Sequence, residues 1–288
     1  MPNKDNLKIA VASGKGGTGK TTIAVNLAAA IGEAGVDTTY IDCDVEEPNG
    51  HIFVKPEIDT RHDVNTLIPE VDLEKCTFCG ECAEICEYNA LAVLPDKVMV
   101  FPELCHSCGG CFHICPEKAI TEVPRKIGCI NSGKGENVGF IEGRLNIGEV
   151  LSPAVTKETK KSAPEGETII IDAPPGTSCP VIEAVQDSNF VLLVSEPTPF
   201  GLNDLKLAVE MIRLLGLPFG VIVNRSDSGD DRTEEYCNKE EIDILLRIKE
   251  DRQIAEGYSR GEMAIASNPD LKKSMVQLYH KIRDRVQR

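Results

Sequence analysis

GKGGTGKTT, running from Gly14 to Thr22, lies between two stretches of different hydrophobic period. Before it, Lys8–Ser13 (KIAVAS) is a short apolar run of strand length. After it, Thr21–Glu33 sets Ile23, Leu27 and Ile31 at helical spacing. Gly14, Gly19, Lys20 and Thr21 match the G-x-x-x-x-G-K-[ST] pattern. Gly14, Gly16, Gly17 and Gly19, with Thr18 between them, let backbone N–H groups converge on phosphate oxygens. Lys20 adds a point charge at the β- and γ-phosphates, and the Thr21 hydroxyl can hold Mg2+. Thr22 follows in the first helical turn, where the partial positive charge of the helix end favours an anion. A chance glycine-rich turn would not need a strand before it and a helix after it.

Working outward, Gly32 and Gly35 end the helix, and Thr38–Asp44 (TTYIDCD) reads as a second strand. This opens a βαβ pattern, hence a parallel sheet covered by helices. Thr168–Ala173, Phe190–Ser195 and Phe219–Asn224 are near-continuous apolar runs, as buried parallel strands require. Leu202–Leu215 carries Leu205, Val209, Ile212 and Leu215 on one helical face. Ile242–Ile248 is a candidate last strand. Asp270–Val286 reads as a closing helix with Leu271, Met275, Leu278, Ile282 and Val286 aligned for core packing. The expected class is α/β. Three strand ends carry polar groups, at Asp44, Asp172 and Asn224, along the edge where open α/β sheets bind ligands.

Lys15, directly after the first glycine, makes the loop GKGGTGKT. In this it resembles the deviant Walker A motif of the MinD/Mrp/nitrogenase iron-protein superfamily. The resemblance implies a P-loop ATPase that uses ATP, ADP and Mg2+ and forms an ATP-sandwich dimer, either a homodimer or a heterodimer with a paralogue. Lys15 is then the lysine that reaches the partner subunit's phosphates. Asp44 in Asp42-Cys43-Asp44 would orient the attacking water. Asp172, opening Asp-Ala-Pro-Pro-Gly, would sit by Mg2+ through water, and Gly176 would donate its N–H to the γ-phosphate. Asn224, with Arg225 beside it, matches the family's adenine-recognising asparagine. SEPTPFGLNDL and IAEGYSRGE are also similar to this family.

From about Glu70 to Lys126 the α/β pattern breaks off. CTFCGECAEIC (Cys76 to Cys86) and CHSCGGCFHICP (Cys105 to Pro116) repeat the spacing C-x2-C-x2-C-x3-C, each followed by a short apolar segment. The pair reads as a bacterial-type two-cluster ferredoxin, in which the fourth cysteine of each run ligates the other cluster. One [4Fe–4S] set is therefore Cys76, Cys79, Cys82 and Cys115; the other is Cys86, Cys105, Cys108 and Cys111. Gly80, Gly109 and Gly110 let the backbone approach inorganic sulfur. Zinc is the rival, since thiolates also suit it, but a zinc site closes with four ligands and does not call for triple-cysteine runs repeated twice. Glu87 departs from the proline that often follows the fourth cysteine, and the ligand set is intact. The expected domains are thus 1–69 with 127–288, a discontinuous P-loop NTPase with a parallel sheet, and 70–126, an inserted ferredoxin-like α+β domain.

The net charge of −15 argues against nucleic acid as a partner, because phosphate contacts need a basic surface. RDRVQR at the C-terminus is one small basic candidate. There is no apolar run of membrane-spanning length, and Met1 to Asp5 shows no signal peptide, so a cytoplasmic location without membrane insertion is expected. In that compartment thiols stay reduced, which disfavours disulfides. The whole chain resembles MinD-superfamily ATPases that contain an inserted ferredoxin domain. That implies a nucleotide-driven dimer switch coupled to electron transfer, or to metal–sulfur cofactor assembly on a redox partner or a small metallocluster acceptor protein. An Mrp-type cluster carrier is the alternative, although the chain after Asn224 has only Cys237 where such relatives hold C-x-x-C. A MinD-like spatial regulator would need a membrane-targeting helix, and a ferredoxin with an inert loop would not need Lys15, Lys20, Thr21, Asp44 and Asp172. Cys43, Cys129, Cys179 and Cys237 lie outside the runs and read as small buried hydrophobes. Cys179, possessing the offset of a cluster-bridging cysteine in the nitrogenase iron protein, is a candidate third metal site or docking contact at the dimer interface, alone or with Cys129.

Overall fold

The computed structural model describes residues 7–287. The leader reading on Met1 to Asp5, and Arg288 of the basic terminus, lie outside the described residues. Strand β1 (Lys8–Ala12) runs into the glycine loop, and α1 (Lys20–Glu33) leaves it toward β2 (Thr38–Asp42). A four-residue helix, α2 (His51–Val54), leads to the long β3 (Glu57–Val71). The cysteine-rich lobe follows, with α3 (Glu81–Glu84), the hairpin β4 (Leu91–Leu94) and β5 (Lys97–Val100), and α4 (Gly110–Ile114). The chain returns along β6 (Ile120–Lys134) and turns into β7 (Gly139–Leu145). Helix α5 (Ser152–Lys161), β8 (Thr168–Asp172), α6 (Cys179–Val185), β9 (Phe190–Ser195), α7 (Pro199–Leu214), β10 (Phe219–Asn224), α8 (Arg232–Lys239) and β11 (Ile244–Ile248) complete the alternation. Helices α9 (Arg252–Ser259), α10 (Ala264–Ser267) and α11 (Pro269–Val286) close the chain.

The strands form one nine-stranded sheet in the order β11-β10-β9-β1-β8-β2-β7-β6-β3. It is parallel from β11 to β7, and β6 and β3 are added antiparallel at the edge. Alternate residues of each parallel strand enter opposite cores. Ile9 and Val11 join α1 and α11 on one face, while Ala10 and Ala12 join α5, α6 and α7 on the other. Burial on both faces explains why these strands read as unbroken apolar runs. Helix α11 buries Met275, Leu278, Tyr279 and Ile282, and the Asn268 side chain caps it by accepting from Leu271 N–H at 2.9 Å. No helix among the described residues is long and apolar enough to cross a membrane.

The structure differs from the sequence reading on either side of the lobe. The sequence pattern breaks off at Glu70 and resumes after Lys126, but two 15-residue strands run continuously through both positions. Strands β3 and β6 pair from Glu57–Lys134 to Val71–Ile120, and only Gly128–Lys134 of β6 also pairs with β7. The far half of this ribbon projects past the C-terminal ends of the parallel strands, the edge at which Asp42 and Asp172 stand. Outside the lobe and the ribbon, α2, β7, α5 and α8 to α10 had no sequence expectation.

Candidate functional site

The glycine loop turns on left-handed residues, Gly17 at φ 81° and Gly19 at φ 90°, which glycine adopts without steric cost. Two glycines are also fixed by close approach. A Cβ on Gly14 would stand 2.1 Å from the Asp204 carbonyl oxygen of α7, and one on Gly19 would stand 2.4 Å from Asn224 Nδ2. Lys15, Gly16, Gly17, Gly19, Lys20, Thr21 and Thr22 line an open cleft together with Asp44, Asn224 and Arg225. Gly14 and Thr18 back the loop. Asn224 donates from Nδ2 to the Thr18 carbonyl at 2.9 Å, so half of the amide expected to meet adenine holds the loop instead. The Gly176 N–H is donated to the Ser13 carbonyl at 2.9 Å.

Beneath the loop lies a buried polar chain. Lys20 Nζ is 2.7 Å from Asp172 Oδ1, and Tyr40 donates its hydroxyl to Asp172 Oδ2 at 2.9 Å. Asp42 and Asp172 are direct register partners on β2 and β8. Burial lowers the Lys20 pKa, but the charges of Asp172, Asp44 and Asp42 outweigh it and leave the pKa raised. Burial, with the Asp172 charge beside it, pushes Asp42 up to about 7. Burial pushes Asp44 up to about 6 against the opposing pull of Lys20. Asp42 itself organises the next loop, accepting from Asp44 N–H at 3.1 Å, Asn49 N–H at 3.1 Å and Gly50 N–H at 2.9 Å. Of the Asp-Cys-Asp pair, Asp44 is the one that lines the cleft.

Two residues without a sequence prediction matter here. Glu196, buried just after β9, holds Arg225 Nη1 at 2.6 Å and Lys15 Nζ at 3.8 Å. Tyr40 carries the hydrogen bond to Asp172. An acid directly after an apolar strand, as in Ser195-Glu196-Pro197, was the available signal for Glu196. A tyrosine inside a strand that ends in aspartate was the signal for Tyr40.

In the lobe, two small cavities open on opposite cysteine sets. One is lined by Cys76, Cys79, Cys82 and Cys115. The other is lined by Cys86, Cys105, Cys108 and Cys111. Each takes its fourth thiol from the other run. Backbone N–H groups point at sulfur: Phe78 to Cys76 Sγ at 3.4 Å, Ala90 to Cys86 Sγ at 3.3 Å and Ala119 to Cys115 Sγ at 3.3 Å. The two runs also share backbone form, with positive φ at Phe78 and Ser107, at Gly80 and Gly109, and at Asn89 and Lys118. Among the described residues no three Cys, His, Asp or Glu side chains converge as a single metal ion would need. A lone zinc draws its sulfurs to about 2.3 Å. Four thiols spread around an apolar cavity, with amides aimed at them, fit a body larger than one ion. As free thiols, Cys82 and Cys111 are pushed up by burial, Cys111 to about 11, so ligation there must displace protons.

The remaining cysteines divide. Cys43, Cys129 and Cys237 are buried, while Cys179 is exposed at the first residue of α6. Cys129 packs into the core from β6, and within the single chain it is not gathered with Cys179 in a metal-binding group among the described residues.

The family model described as the CobQ/CobB/MinD/ParA nucleotide binding domain matches residues 9–265. The chain belongs to this family. Nucleotide binding is expected of this family. An uncharacterized protein of Methanocaldococcus jannaschii is 32% identical over 263 residues, spanning 90% of this chain and 92% of that one. The iron-sulfur cluster carrier protein of Aquifex aeolicus is 27% identical over 281 residues, covering 91% of this chain but 62% of its own length. Among solved structures, the cell division ATPase MinD of Pyrococcus furiosus superposes with a TM-score of 0.61 at 23% identity, covering 97% of this chain and 99% of that one. At that identity the likeness concerns the fold.

Proposed function

We propose that this family member is a slow, Mg2+-dependent ATPase whose nucleotide state acts on a two-cluster iron–sulfur lobe, for electron transfer to a partner or cofactor assembly on it. The observation that carries this reading is the coexistence, in one chain, of the phosphate loop with two cavities that each gather a crossed cysteine quartet. Lys20 and the loop amides bind the β- and γ-phosphates, and Thr21 would hold Mg2+. The arriving phosphate draws Lys20 away from Asp172, whose freed carboxylate would help to hold the ion. Asp44 then orients the attacking water, Gly176 turns its N–H from Ser13 to the γ-phosphate, and Arg225 with Asn224 flanks the base. Lys15 leaves Glu196 to reach the partner subunit's nucleotide. In the lobe, Cys76, Cys79, Cys82 and Cys115 would hold one [4Fe–4S] cluster, and Cys86, Cys105, Cys108 and Cys111 the other. Such clusters supply one-electron transfer.

Anaerobic purification with iron and sulfide counts, followed by EPR with and without ATP, tests the reading. About eight irons per chain are expected from two four-iron clusters. Stoichiometric zinc without visible charge-transfer absorption would overturn it. The carrier reading, supported by the name of the Aquifex aeolicus relative, predicts instead that iron leaves the chain for an apo-acceptor.

A further inference from the structure

Helix α2 lies in the connection between the nucleotide site and the ribbon, and it touches both. On the nucleotide side, Asp42 Oδ2 accepts from the N–H groups of Asn49 and Gly50 at its start. Gly50 lies so close to Tyr40 that a Cβ would stand 2.4 Å from the hydroxyl oxygen, the same hydroxyl that holds Asp172. The Phe53 ring packs 4.7 Å from the Tyr258 ring, and Tyr258 lines the cleft. On the ribbon side, His51 Nδ1 is 3.3 Å from Glu142 Oε2 on β7. Glu142 Oε1 accepts from Arg144 Nε at 2.7 Å and from Asn131 Nδ2 of β6 at 2.8 Å. Val54 fills the space beside Gly135 in the β6–β7 turn. Lys55 then turns the chain with φ 48°, and β3 begins at Glu57.

Glu142 is 3% exposed, is the direct register partner of Asp42, and has no part in the nucleotide chemistry. A buried carboxylate is costly unless it is paired; Arg144 and Asn131 pair Glu142, and His51 of α2, with Nδ1 3.3 Å from both Arg144 Nη2 and Glu142 Oε2, packs on that group and gives α2 one preferred seat. We propose that α2 is the coupling element that carries nucleotide state to the ribbon and its cysteine lobe, with Glu142 as its positioning residue. When phosphate takes Lys20 from Asp172, the Tyr40 and Asp42 contacts that set the start of α2 change. The helix is packed against the β6–β7 turn and joined to β3, so its displacement reaches both strands of the ribbon.

This inference rests on the reading that nucleotide acts on the lobe. The test is hydrogen exchange of segments 57–71 and 120–134 in the cluster-loaded chain, with and without Mg2+ and a non-hydrolysable ATP analogue. In the unsubstituted protein the nucleotide should change ribbon exchange by about five-fold or more, the lower end of ordinary coupling. Glu142→Gln and His51→Ala should remove that difference while iron content and nucleotide affinity stay unchanged. A difference that survives both substitutions overturns the role of α2 and leaves the functional reading standing. No difference in the unsubstituted protein, with the analogue bound, overturns the functional reading itself. Should Glu142→Gln fail to fold, His51→Ala carries the test, because that side chain is 38% exposed.

Discussion

Lys20→Ala is expected to destabilise the nucleotide-free protein as well as weaken phosphate binding, whereas Lys15→Ala should abolish hydrolysis at almost no structural cost. The two lysines stand five positions apart in one loop and differ in what they leave behind. Lys20 pairs with Asp172 at 2.7 Å, with side-chain exposures of 7% and 0%. Its removal strands Asp172 beside Asp42 and Asp44 with only the Tyr40 hydroxyl for support. Breaking a buried pair from one side typically costs about 3–5 kcal/mol. At about 2 °C per kcal/mol for a chain of this size, the melting temperature should fall by roughly 6–10 °C. Lys15 is 31% exposed and 3.8 Å from Glu196, so its loss should cost about 0–1 kcal/mol.

Differential scanning calorimetry of the nucleotide-free, cluster-loaded variants measures this, with isothermal titration of Mg-ADP as the binding control. Adding Asp172→Asn to Lys20→Ala should restore most of the lost stability, because the stranded charge is then gone while an oxygen remains for Tyr40. A Lys20→Ala protein that melts within about 2 °C of the unsubstituted chain, a loss of about 1 kcal/mol, would mean that the pair contributes as an exposed one does. The account of Lys20 and Asp172 as a buried, mutually neutralising pair would then be wrong.

The acidic limb of kcat/KM should fall near pH 6, because burial raises Asp44 to about 6 and the water-orienting carboxylate must be ionised. Asp44→Asn should lower kcat and abolish that limb. The same raised value means that Asp44 favours folding below its unfolded value, near pH 4, and that this contribution is lost as pH rises through about 6. In the lobe, Cys115→Ser should leave the same EPR spectrum as Cys76→Ser, and Cys86→Ser the same as Cys105→Ser, since each cavity takes its fourth thiol from the other run. Spectra grouped by run rather than by cavity would overturn the crossed assignment.

The parallel part of the sheet was legible because burial on both faces leaves a one-letter signal, as in Thr168–Asp172 and Phe190–Ser195. The glycine loop was legible because phosphate chemistry fixes residue types at fixed spacing. The ribbon was not. Strand β3 is exposed over most of its length, so it has no apolar face to alternate, and β6 is interrupted by Pro124, Gly128 and Gly133. Helix α2 is too short to show a period. Glu196 and Tyr40 act through contacts with residues far away in sequence, which spacing does not report.

The ribbon also bears on where the lobe can act. Strands β2 and β7 run parallel, with Asp42 beside Glu142, so the cleft lies at the end of the sheet where β7 finishes. Strand β6 enters from beyond that end, and Ile120–Ile127, before its pairing with β7 begins, extends past it. Eight residues at about 3.3 Å each carry the ribbon tip roughly 25 Å outward on the nucleotide side. An insertion at the opposite edge of the sheet would trail behind any closure of two nucleotide faces. Here, in the proposed dimer, each lobe would stand on the side that faces the other subunit, and closing the nucleotide faces would change which surfaces of the lobe a partner can reach. The exposed thiols of Cys79 and Cys108 lie on those lobes, one in each cavity. On the proposed reading, the position of the lobe would tie access to both cysteine sets to the same closure that brings Lys15 to the opposite nucleotide.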